Sequence, residues 1–61
     1  MIQIDEADSP GVSRLLETMD MDGWVVQEQK GSNVVLTFPT HFSELEFKDE
    51  LEFKSIPFQP L

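Results

Sequence analysis

The sequence predicts a small α+β fold: one N-terminal helix packed on an antiparallel sheet of three to four strands. Three observations carry this. Val12, Leu15, Leu16 and Met19 recur at helical spacing. Two β-rich runs flank Gly31-Ser32-Asn33, which is turn chemistry. Residues 44–54, ELEFKDELEFK, alternate strictly between apolar odd and charged even positions.

Met1–Ile4 alternates weakly and predicts a short edge strand. Ser9-Pro10 reads as a helix start, with a hydroxyl cap and proline at the first helical position, so the helix covers about 9–20. Asp22-Gly23 breaks it, and strands follow at about 24–29 and 34–38. With a three-residue loop, Val26 would face Phe38 on the side that packs against the helix. Pro39 and Thr40 stop the second strand.

The doubled segment admits three readings. Alternation favours strand, either as a hairpin turning at Asp49 (about 43–48 and 50–55) or as one long, kinked strand. The helical reading has its own support: Ser43-x-x-Glu46 as a capping box, Phe42 with Phe47 as a staple, and Glu44–Lys48 and Glu50–Lys54 as i,i+4 pairs. Two short strands are the reading taken. Residues 55–61, with Pro57 and Pro60, form an extended tail of a single domain spanning 1–61.

Sixty-one residues bury only a marginal core, about 60% of the unfolded surface, and no cysteine is present to supply a disulfide. A second copy or a partner is therefore expected to add stability, and a homodimer is one candidate assembly. No signal-like leader and no stretch near the roughly 20 apolar residues of a membrane span appear, so a soluble, cytoplasmic protein is expected.

Charge limits the partners further. Twelve carboxylates face four Lys and Arg, a net of −8. Nucleic-acid affinity comes mainly from neutralising phosphates, so this balance disfavours it and favours a protein partner with a basic surface. If 44–54 is strand, Glu44, Glu46, Glu50 and Glu52 line one face about 6.6 Å apart, a row able to meet such a surface. The plainer reading is the wet side of a half-exposed sheet. Gln29–Ser43 contains no acid, so an anion would be met there, at Lys30, Ser32 and Asn33.

No catalytic pattern is present, and no cofactor or metal is expected. His41 is the one histidine and has no second ligand at metal spacing. Asp20-Met21-Asp22-Gly23 resembles the middle of an EF-hand loop, but Thr18 and Gln29 occupy its first and twelfth positions.

Residues 12–38 carry a leucine-bearing helix (Val12-Ser13-Arg14-Leu15-Leu16-Glu17), the stretch Asp22-Gly23-Trp24-Val25-Val26, and Gln29-Lys30-Gly31-Ser32-Asn33. This stretch resembles the front of HicA-type messenger-RNA-cleaving toxins. The resemblance implies a double-stranded-RNA-binding-like helix–strand–strand–strand–helix fold and RNA contact from the hairpin. That family's catalytic histidine would fall at Asn33, and an amide cannot serve as a general base near neutral pH. The expected function is thus a non-enzymatic acidic interaction protein, an inhibitor or mimic acting on a nucleic-acid-handling protein. The alternative is a HicA-like RNA-binding or RNA-cleaving protein.

Overall fold

A computed structural model describes all 61 residues. Strand β1 (Ile2–Asp5) leads through a 3-10 turn at Glu6–Asp8 into helix α1 (Ser9–Thr18). Strands β2 (Val26–Lys30) and β3 (Asn33–Thr37) form a hairpin, followed by helix α2 (His41–Phe53) and a short β4 (Gln59–Pro60). The sheet is antiparallel throughout, in the order β2-β3-β1-β4. The α+β class holds, and the connectivity is the β-α-β-β-α-β pattern of a split βαβ unit. It is not the order the HicA resemblance implies: two strands, not three, lie between the helices.

The first strand is central, not an edge. Ile2 and Ile4 pair with Leu36 and Val34 of β3, and Ile2 and Gln3 pair with Pro60 and Gln59 of β4. Partners directly opposite share a face, so Ile2, Ile4, Val34 and Leu36 form one apolar patch under the helices. Val12, Leu15 and Leu16 of α1 and Phe47 and Leu51 of α2 close over it, joined by Met21 and Val25. One face of the sheet is thereby covered by the helices; the other carries none, although Val35 on it is buried among its neighbours.

The hairpin turn is one residue shorter than expected. Lys30 pairs with Asn33, which leaves Gly31-Ser32 as a two-residue turn. Gly31 has φ 63° while Ser32 is not left-handed, the geometry of a turn with glycine at its first central position. Shortening the loop by one residue flips every side chain of β2. Val26 therefore faces Thr37 on the open side, 61% exposed, rather than Phe38 and the helix. Gln27 takes the inward position instead, and the Ser13 hydroxyl reaches it from α1 at 3.5 Å. Trp24 lies in the turn before β2, outside the strand, and is 65% exposed.

Residues 43–48 and 50–55 are not strands. Thirteen residues, His41–Phe53, form α2. The alternation misleads because only half of its apolar residues are buried: Phe47 and Leu51, four apart, face the core with Ser43, whereas Leu45 and Phe53 face water. Of the local signals of the helical reading, the Glu44–Lys48 pair forms, no Glu50–Lys54 ion pair does, and the cap lies three residues earlier than expected, at Thr40. The Thr40 side chain accepts from the Ser43 N–H at 3.0 Å, and the Ser43 hydroxyl answers the Thr40 N–H at 3.4 Å. Glu44 and Lys48 pair at 3.4 Å.

Both helices end alike. Met21 N–H donates to the Leu16 carbonyl and Asp20 N–H to Glu17, with Asp20 at φ 59°. Ile56 N–H donates to Leu51 and Ser55 N–H to Glu52, with Ser55 at φ 58°. Each is a Schellman motif carrying a non-glycine residue in the left-handed position. At the other end of α1, Asp8 holds the cap position without a side-chain bond, and Ser9 is already helical. Ser9 is therefore not the expected hydroxyl cap. Beyond the turn at Ser55, Ile56 and Phe58 pack against the core and Gln59–Pro60 adds an edge to β1.

Candidate binding face on the second helix

The four glutamates expected in one row are distributed around α2. Successive helical residues turn by about 100°, which sets Glu44 toward the flank of the core, Glu46 and Glu50 on one side and Glu52 on the other. Glu44 is largely enclosed, with its side chain 15% exposed. Its carboxylate lies 3.3 Å from the Met1 ammonium and 3.4 Å from Lys48 Nζ. Burial alone would raise its pKa. The hydrogen bonds from Met1 and Lys48, with their charges, outweigh that and hold it below the usual glutamate value. Glu44 is thus occupied in tying the N-terminal amino group and α2 together.

The remaining carboxylates behave differently. Glu46 and Glu52 are exposed, and Asp49, read from the sequence as a turn residue, stands on the outward face between them. None of these three is in an ion pair. Glu50 is half-buried on the side of α2. Three further residues share the outward face: Phe42, Leu45 and Phe53 are 70%, 45% and 82% exposed. Alternation assigns Leu45 and Phe53 to a core, and Phe42 reads as one half of a staple. The signal that could have found them is the i,i+4 spacing of Phe47 and Leu51, which leaves Leu45 and Phe53 on the opposite side.

The hairpin residues Lys30, Ser32 and Asn33 come together at the β2–β3 turn, with acidic neighbours close by. Lys30 Nζ lies 3.1 Å from Glu28 Oε1, and Asn33 pairs with Asp5 of β1. The acid-free run Gln29–Ser43 is therefore bordered by carboxylates in space. The Ser32 carbonyl accepts from Glu6 N–H at 3.1 Å and holds the turn against the start of the 3-10 segment. Asp20 and Asp22 belong to the end of α1 and the turn after it. His41 is exposed at the first turn of α2, and nowhere are three or more His, Asp or Glu side chains gathered in a way that could hold a metal ion. No helix is long and apolar enough to cross a membrane.

Comparison with family models, with curated proteins and with solved structures gives no match.

Proposed function

We propose that this chain is a non-enzymatic, cytoplasmic interaction protein that binds a basic surface on another protein. It would act as an inhibitor or mimic by occupying a site built for nucleic acid. The observation that carries the reading is the outward face of α2. Glu46, Asp49 and Glu52 stand there exposed and without cationic partners, on a chain of net charge −8. A rigid helix holds these charges at fixed spacing, and the field of the whole molecule steers them toward cationic partners.

The test compares two variants in a pull-down from lysate with a salt titration. Wild type is expected to retain basic or nucleic-acid-handling proteins at low salt and release them as salt rises. Reversing the charge with Glu46→Lys, Asp49→Lys and Glu52→Lys is expected to abolish retention, and Lys30→Ala to leave it unchanged. Retention of no basic protein at low salt would reject the reading. Salt-sensitive RNA binding that needed Lys30 would replace it with the hairpin-centred, HicA-like alternative.

A further inference from the structure

The outward face of α2 is apolar as well as acidic. At about 100° per residue, Phe42, Asp49 and Phe53 fall within about 20° of one line along the helix, with Leu45 about 60° to one side and Glu46 about 40° to the other. Phe47 and Leu51 occupy the opposite line and enter the core. The helix therefore carries two apolar stripes, and the fold uses one. Phe42, Leu45 and Phe53 have no part in the core cluster and extend over about 16 Å of helix. Apolar side chains spaced along one helix face are the anchors by which helices dock against partner surfaces.

The surrounding charges specify what covers them. Glu46, Asp49 and Glu52 lie between Leu45 and Phe53, and Lys48 is turned away to Glu44. Lys54 folds back over the Phe53 ring at 6.0 Å, so one aromatic face at the end of the stripe already receives a cation. A second copy packed on this face would bring two sets of three carboxylates together, which Coulomb repulsion opposes. Nucleic acid and anionic lipid surfaces are repelled for the same reason. A surface whose apolar ridge is bordered by Lys or Arg satisfies both features at once.

We infer that Phe42, Leu45 and Phe53 are the anchors for an amphipathic, basic helix of the partner, with Glu46, Asp49 and Glu52 pairing its flanking cations. This rests on the basic-surface reading above. It adds that the partner segment is helical and that apolar contact, not charge alone, sets the affinity.

The experiment uses two synthetic Leu/Lys peptides of about 18 residues, five helical turns. In one the leucines form a single stripe. The other has the same composition, scrambled. Binding is read by fluorescence anisotropy against wild type and against the charge-neutral triple variant Phe42→Ser, Leu45→Ser, Phe53→Ser, with circular dichroism checking its fold. Wild type is expected to bind the striped peptide at least about tenfold more tightly than the scrambled one, and the triple variant to lose that preference. Phe53→Ser alone, at the most exposed of the three, repeats the test with the least disturbance to folding.

Equal binding of both peptides by wild type would overturn the anchors while leaving the basic-surface reading intact. So would an unchanged preference in the variants. Binding of neither peptide at low salt would remove both. A wild-type dimer that the triple variant converts to monomer would assign the face to a second copy instead.

Discussion

The two helices cover the same sheet and end in the same Schellman geometry, yet they differ on their solvent sides. α1 buries Val12, Leu15 and Leu16 and turns Arg14, Glu17 and Thr18 to water. α2 buries Phe47 and Leu51 but also turns Phe42, Leu45 and Phe53 to water. Folding accounts for α1 in full. It accounts for only half of α2, and the other half is the face we propose a partner covers.

The sharpest way to break this contrast is to truncate the two stripes of α2 separately. Phe47 is fully buried and packs on Phe38 with ring centroids 5.4 Å apart. Phe47→Ala is expected to cost about 3–5 kcal/mol, enough to unfold most of so small a domain, as read by urea denaturation. Phe53→Ala, in the same helix, is expected to stay within about 0.5 kcal/mol of wild type. A comparable loss in both would mean that the outer stripe is structural.

The N-termini of the helices offer the next test. Thr40 caps α2 through a reciprocal bond with Ser43, whereas Asp8 makes no side-chain bond at the start of α1. Thr40→Ala is expected to lower stability by about 1 kcal/mol in thermal or chemical unfolding. Asp8→Ala should lose only a dipole interaction of about 0.3 kcal/mol.

The C-termini predict gains. Asp20 and Ser55 hold left-handed backbone that glycine adopts freely, so either residue changed to Gly should stabilise by about 0.5–1 kcal/mol, visible as a raised urea midpoint. The gain should be larger at Ser55, because aspartate tolerates this conformation better than serine.

The smallest effect concerns Glu44, whose pKa is lowered in the folded chain. A lowered carboxylate contributes stability above its unfolded pKa and loses it as pH falls through the folded value. Glu44→Gln should therefore be less stable than wild type at neutral pH. The gap should close in acid, below about pH 4, when unfolding is followed across a pH series.

Much of this fold was legible where local and global preferences agree. The α1 stripe and the β2–β3 hairpin follow from spacing and turn chemistry. The failures have separate causes, and the largest is that periodicity assumes every apolar residue is buried. In 44–54 that assumption turned a helix with two apolar sides into two strands. At the hairpin, a loop miscounted by one residue reversed the faces of β2. The candidate face inherited the first error: its glutamates were identified, but their row was not formed, and Asp49 with the exposed aromatics emerged only once the helix was known. The central place of β1 was illegible for another reason, since no local signal in Met1–Ile4 tells which strands will flank it.

That central strand also governs how the chain must come together. β1 is held on one side by residues 33–36 and on the other by 59–60, so its partners lie in the middle and near the far end of the chain. β1 precedes both of its neighbours and stays unpaired until residues 33–36 and then 59–60 have followed it. Such pairings across the chain slow the approach to the native state relative to a bundle built from adjacent helices. Until β4 arrives, β1 offers one unpaired strand edge.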